Sequence, residues 1–213
     1  MTAAGKARGI IFRGDEVRSA REGRKTQFRR VVKSTARGCT VGVYSDSDRG
    51  PYECVNVGDD GDPIDSEPIR CPYGVPGDRL WVRETICTAD ASFGGDNYYF
   101  AADRRGVGLA RYAALVKRFP WKYGRVIPSI FMPREASRLD LLNRQVRVER
   151  LSAISNEDAI AEGIDWQSQV GVDGNGPSPR EFFMDAFRAM HKLAADADPW
   201  LWVVTFSKEP ANG

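Results

Sequence analysis

Five cations, Arg24, Lys25, Arg29, Arg30 and Lys33, fall within the run Gly-Arg-Lys-Thr-Gln-Phe-Arg-Arg-Val-Val-Lys at positions 23 to 33. The run has strand character, and two readings of it stay open. It is a solvated edge strand guarded by its own charges, or a surface that holds an anion or a nucleobase. Nucleic-acid binding joins a cationic track for phosphates to aromatic faces for stacking. Arg24, Arg29, Arg30 and Lys33 supply such cations, and Phe28 and Trp81 are the aromatic candidates. Phe28 is a stacking platform if exposed and core if it packs inward. A lysine serves as a base, or activates a hydroxyl, only where burial or a neighbouring cation lowers a pKa that is otherwise about 10.4. Arg24 and Arg29 are such neighbours of Lys25, and Thr26 beside it offers a hydroxyl.

A second chemical group sits in Arg79-Leu80-Trp81-Val82-Arg83-Glu84-Thr85. Strand parity puts Glu84 with Leu80 and Val82 on a face that reads as buried, where an acid needs a partner. Arg24, Arg30 or Arg134 could be that partner, or Glu84 lines a cleft and accepts a hydrogen bond from a base amino group.

The elements that must position these residues are short. Gly9 to Phe12 reads as a strand, and Asp15 to Glu22 as a helix with Asp15 able to cap it and Gly23 ending it. Lys25 then enters the basic strand just past a helix C-cap. Thr40 to Tyr44, Tyr52 to Val57, Asn97 to Ala102 and Val126 to Met132 read as further strands, with an acidic turn at residues 58–62 and a turn at Pro76-Gly77-Asp78. Leu109 to Phe119 has helical periodicity, and Arg138 to Leu151 reads as a strand with a bulge or break near Asn143. Ser155 opens a short helix that Gly163 closes, and Ser178-Pro179-Arg180-Glu181 opens another. The stripe Phe182, Phe183, Ala186, Phe187, Met190 and Leu193 on that last helix reads as packing. Trp200 to Phe206 is a strongly apolar strand, with Trp200 and Trp202 read as core, and residues 171–176 read as a flexible loop. Many strands broken by turns and a few helices point to an α+β domain on a mostly antiparallel, barrel-like sheet.

Bulk numbers bound the rest. At 213 residues, 42% hydrophobic and 28% charged, the chain is an ordinary globular protein, read as a single domain over 1–213. Its 31 basic and 29 acidic residues nearly cancel to +2, so only local clustering of charge carries information. No stretch serves as a signal peptide or a membrane span, and a cytoplasmic protein is expected. Cys39, Cys54, Cys71 and Cys87 form no Cys-x-x-Cys pair, so neither zinc nor redox chemistry is signalled. His191 is the only histidine, which argues against a His-based triad or a multi-His metal site. No metal and no cofactor is expected; the oligomeric state is left open.

Several of these stretches, taken in order, resemble the ASCH domain family, most closely the longer ASCH proteins of phages and prophages. They are Glu22-Gly23-Arg24-Lys25-Thr26-Gln27, Pro76 to Glu84, Phe131-Met132-Pro133-Arg134, Ser155 to Gly163, and Trp200 to Phe206. The resemblance spans a core of about residues 10–206, with inserted loops at about 58–72, 103–124 and 165–178. It implies a PUA-like β-barrel with flanking helices and a cleft that binds RNA, nucleic acid or a modified nucleobase. It also implies an alternative, since some small ASCH proteins are amidohydrolases that remove an acyl group from acetylated cytidine. Their working groups are a Lys, a Thr three residues later, and a Glu on a later helix. By motif Lys25 matches the Lys and Glu162 the Glu, while the third position holds Phe28, which has no hydroxyl. Thr26 lies roughly 6 to 7 Å short of that position in an extended strand, too far for near-contact attack. Recognition is therefore the leading expectation, in a site of Lys25, Glu84 and Glu162 surrounded by Arg24, Arg29, Arg30, Arg83 and Arg134, with Phe28 and Trp81. Hydrolysis by Lys25 and Glu162 with Thr26 or water is the second. A pairing of Lys25 with Glu162 would instead make a structural ion pair, and Glu162 in isolation reads as a helix-end carboxylate facing water. A phage accessory or assembly protein with an inactive cleft is the third expectation.

Overall fold

A computed structural model describes residues 7–34, 40–46, 50–60, 69–88, 98–120, 122, 124–170 and 175–209. Residues 1–6, Cys39, positions 61–68 of the expected insert and acidic turn, Asn97, and positions 171–174 of the expected loop lie outside the described residues. The chain is α+β. Among the described residues, ten strands, β1 (Ala7–Ile11), β2 (Gln27–Val31), β3 (Thr40–Asp46), β4 (Gly50–Val57), β5 (Arg79–Arg83), β6 (Ile86–Thr88), β7 (Tyr98–Phe100), β8 (Val126–Ile127), β9 (Asp140–Arg150) and β10 (Trp200–Lys208), accompany four α-helices. The helices are α1 (Gly14–Glu22), α2 (Leu109–Arg118), α3 (Asn156–Ala161) and α4 (Pro179–His191).

The barrel expected from the sequence is not what forms. The main sheet runs β1-β5-β9-β10-β2 and is open, with β1 and β2 at its two edges. β1 lies parallel to β5, whereas the other paired strands of the described ladders are antiparallel.

Two compact units make up the chain, one of Met1–Lys25, Gly77–Asn143 and Phe206–Gly213, the other of Thr26–Pro76 and Arg144–Thr205. In the first, α1 buries Val17, Ser19 and Ala20. Its start differs from the expected Asp15 cap. Glu16 instead accepts the Arg13 backbone N–H at 3.0 Å, and Asp15 accepts from the Arg13 guanidinium at 3.1 Å. Its end is the expected Gly23, at φ 81°, a left-handed conformation that favours glycine. A core of Ile86, Tyr98, Phe100, Leu115, Ile127, Met132 and Ala136 joins β6, β7, β8 and α2. The strand expected over Val126 to Met132 stops at Ile127, because Pro128 opens a one-turn 3₁₀-helix at Ser129–Phe131. β6 was not foreseen. β9 runs for eleven residues without a break, but its buried positions change parity past Asn143, from Leu141 and Asn143 to Val148, as the expected bulge would make them.

The second unit holds β2 against β10, in register from Gln27↔Thr205 to Val31↔Leu201. α3 begins at Ser155, whose hydroxyl accepts the Asp158 N–H at 3.1 Å, and closes at Gly163, φ 75°. α4 has the expected capping box, with Glu181 accepting the Ser178 N–H at 2.8 Å. Phe183 and Phe187 on α4 pack with Leu151, Ile154, Ala159 and Leu201. Trp202 is buried with Val32, Ile69 and Val148, and the half-buried Trp200 packs on that cluster. Among the described residues no helix is long and apolar enough to cross a membrane.

Candidate functional site

The turn at Gly23 sets Lys25. With Gly23 left-handed, the Arg24 and Lys25 N–H groups both reach back to the Ser19 carbonyl, at 2.9 and 3.1 Å. The Lys25 side chain is 2% exposed, its Nζ 3.5 Å from Glu16 Oε1 and 5.5 Å from the Phe12 ring centroid. A buried ammonium thus faces a carboxylate and an aromatic ring, an ion pair joined to a cation–π contact. Thr26 is exposed, and its N–H donates to the Ala161 carbonyl at 2.8 Å. Arg24 is exposed and pairs with Glu22 at 2.6 Å.

Arg29 is the hub of the second unit. Its side chain is 0% exposed although β2 is an edge strand, and its guanidinium donates to Glu162 at 3.0 Å, Glu149 at 3.1 Å and Asp158 at 2.8 Å. Arg147 donates to Asp158 at 2.9 Å and to Glu149. The Gln27 amide donates to Asp158 Oδ1 at 2.7 Å and to the Asp158 carbonyl at 3.1 Å. Burial raises the Asp158 carboxyl, but the Gln27 hydrogen bond and the charges of Arg29 and Arg147 outweigh it and hold the acid below its ordinary value. Glu162 is buried at the C-cap of α3, where the helix dipole disfavours a carboxylate. Arg29 compensates it. The reading of Glu162 as a water-facing helix end is corrected accordingly. Sequence reasoning missed Glu149, Asp158 and Arg147; the signals were the shared parity of positions 147 and 149 on one strand, and the i, i+4 spacing of 158 and 162 on one helical turn.

Glu84 is held by a residue outside the three considered. Arg138 donates to both of its oxygens at 2.7 Å, and to Asp103 at 3.0 and 3.1 Å. Arg21 also pairs with Asp103, and the Arg138 guanidinium lies 3.8 Å from the Phe100 ring centroid. Burial raises the Glu84 carboxyl in spite of its bonds to Arg138. With Arg138 on both oxygens and only 2% of its surface exposed, Glu84 is out of reach of a base amino group.

The aromatic candidates divide. Phe28 is 0% exposed, edge-on to Tyr73 at 5.1 Å, with Arg30 over it at 5.4 Å, so it is core and no base reaches it. The edge position of β2 did not expose it. Trp81 has only 8% of its surface exposed and has two guanidinium groups near its ring, Arg83 at 4.5 Å and Arg134 at 5.7 Å. Arg134 also pairs with Asp140 at 2.8 Å.

Charge is partitioned between the units in a way the near-neutral total conceals. The first has nineteen Lys and Arg against eleven Asp and Glu, a net +8; the second has twelve against eighteen, a net −6. Among the described residues of the first unit, Arg83, Arg111, Lys117, Arg118, Lys122 and Arg125 have no carboxylate partner. Arg83, Arg111 and Arg125 donate only to backbone carbonyls, those of Ile130, Ser137 and Pro120. The cations of the opening run are different: Arg24, Lys25 and Arg29 each face a carboxylate. Among the described residues no three His, Cys, Asp or Glu side chains converge as a metal-ligand set. No family model, curated protein or solved structure matches the chain.

Proposed function

We propose that the protein binds nucleic acid, RNA or DNA bearing or lacking modified bases, and that the first unit supplies the cationic surface. The partition of charge carries this reading. A net +8 on one unit, with arginines and lysines that no acid neutralises, is an electrostatic footprint for a polyanion. The likeness of the ordered motifs to the ASCH domain, with its PUA-like relatives among RNA-binding modules, supports the same reading. Affinity for short RNA and DNA, single- and double-stranded, measured across a salt series, tests it. Binding that weakens linearly in log salt is expected, with a loss of about tenfold or more in the Lys117→Glu, Arg118→Glu, Lys122→Glu variant, whose altered residues are exposed. Absence of salt-dependent affinity for any of these, and for modified nucleosides, refutes it.

A second reading, amide hydrolysis of an N4-acylated cytidine, is supported by the motif match of Lys25 and Glu162, although Lys25 faces Glu16 and Glu162 is held by Arg29. Water adds across the acyl C–N bond, giving cytidine and the free acid, with Lys25 and Glu162 in the roles the resemblance assigns and water in place of the missing threonine. Incubation with acetylated cytidine decides it: no free cytidine, or turnover unchanged in Lys25→Ala, removes the enzyme reading. An inert protein that retains a stable partner in pull-down points instead to an accessory role.

A further inference from the structure

We propose that the face of the first unit formed by Trp81, Arg83, Ile130, Phe131 and Arg134 is a stacking site for unpaired bases, so that the preferred ligand is single-stranded nucleic acid. The inference rests on the nucleic-acid reading above and goes further by naming the strand state and the residues that read it.

Three observations build the face. β1 and β5 run side by side with Gly9 opposite Trp81 and Ile11 opposite Arg83. Gly9 leaves the space that the indole and the guanidinium fill, since a Cβ there would lie 2.7 Å from Arg83 Nε and 2.9 Å from the Trp81 ring. Arg83 lies over Trp81, 4.5 Å from the ring centroid, and its Nη1 reaches the Ile130 carbonyl at 3.4 Å.

The 3₁₀ turn beyond it presents apolar side chains outward. Ile130 is 58% exposed and Phe131 50%. The turn is anchored rather than loose. Phe131 N–H donates to the Pro128 carbonyl at 2.9 Å, Met132 is buried in the core, and Pro133 is buried behind it.

Part of the charge on this face is committed, since Arg134 pairs with Asp140 at 2.8 Å. Arg83 has no carboxylate partner, and its buried Nε has no hydrogen-bond acceptor. An anion that reached this guanidinium would meet its outer nitrogens, where Nη1 has only the Ile130 carbonyl at 3.4 Å.

A duplex engages cations through its phosphates and keeps its bases stacked inside, so it has no use for an exposed phenyl ring on a cationic unit. A single strand has both phosphates and free base faces. It alone uses Phe131 as a stacking surface while Arg83 and Arg134 take the backbone, the pairing of aromatic and cation that single-strand binders employ. The net +8 of the unit selects a polyanion over an apolar or basic protein segment as the occupant.

Fluorescence anisotropy with a labelled single-stranded oligo-uridine, an oligo-thymidine and a duplex of the same length, on the full chain, tests this. The wild type is expected to favour the single strands. Phe131→Ala should weaken single-strand binding roughly 5- to 150-fold, leaving duplex affinity and the salt slope unchanged, and Arg83→Gln should weaken it and flatten the slope. Thermal melts of both variants matching the wild type keep the comparison valid, and Phe131→Tyr, which preserves a ring, should retain binding. Preference for duplex, or single-strand binding untouched by Phe131→Ala and Arg83→Gln but lost in the Lys117/Arg118/Lys122 charge reversal, overturns the stacking site while the broader reading stands. Failure of the wild type to bind any of the three probes overturns both.

Discussion

Arg138 grips Glu84 in a fork, its Nε and Nη2 each 2.7 Å from a separate carboxylate oxygen, with Nη1 left to Asp103. Such a pair is costly to assemble and more costly to break, because a lone partner is left charged and dry. Arg138→Gln is expected to lower stability by about 3–5 kcal/mol. Adding Glu84→Gln to that variant should recover part of the loss. Urea unfolding of the single and double variants measures both; equal stability of Arg138→Gln and wild type would contradict the fork.

Arg29→Ala should destabilise more than Glu162→Gln. The first change takes an arginine from three carboxylates and leaves Arg147 to Glu149 and Asp158, whereas the second leaves Arg29 with Glu149 and Asp158. The expected loss for Arg29→Ala is about 3–5 kcal/mol, read from the urea midpoint.

Asp158 and Glu84 respond to acid with opposite signs. The folded pKa of Asp158 lies below its ordinary 3.8, so its contribution is present above that value and is lost as pH falls through the folded pKa. Glu84 is raised above 4.5, so its contribution is full below that value and is lost as pH rises through the folded pKa. Asp158→Asn should therefore be less stable than wild type at pH 7, yet decline less between pH 6 and 3. Denaturation midpoints across that range provide the check, and parallel curves would rule the assignment out.

Gly23→Ala places a Cβ in open space, so only the left-handed backbone resists it. A loss of about 1–2 kcal/mol is expected. Should Lys25 serve the hydrolytic reading, turnover falls with it, since the same turn aims the Arg24 and Lys25 amides at Ser19.

Phe28→Ala should cost about 3–5 kcal/mol and leave the strand preference of any nucleic-acid binding unaltered, as expected of a ring enclosed with Tyr73. A melt and an anisotropy titration on the same sample separate the two effects.

What the sequence disclosed was local. Ser178 with Glu181, Ser155, and the glycines at 23 and 163 are read correctly because capping depends on neighbours three or four positions away. Ile86–Thr88 escaped because three residues carry no periodicity, and Val126 to Met132 misled because its apolar run hides a proline that turns the chain. At the site, parity correctly buried Glu84 and the cap correctly placed Lys25. The partners were illegible. Glu84 and Arg138 are 54 positions apart, and nothing local distinguishes Arg138 from the other arginines of the chain. Phe28 lies on an edge strand by topology and in the core by packing, and sequence shows neither Tyr73 nor Arg30 folding over it.

The distances in sequence spanned by Arg29 also set an order of events. Its three acids lie 120, 129 and 133 residues downstream, and a guanidinium does not give up its water before its acceptors arrive. β2 is made early and must wait through the synthesis of more than half the chain, until α3 emerges. Its closure is thus a late, long-range step in folding, and during the wait Phe28 and the β2 edge stand open to any other strand nearby.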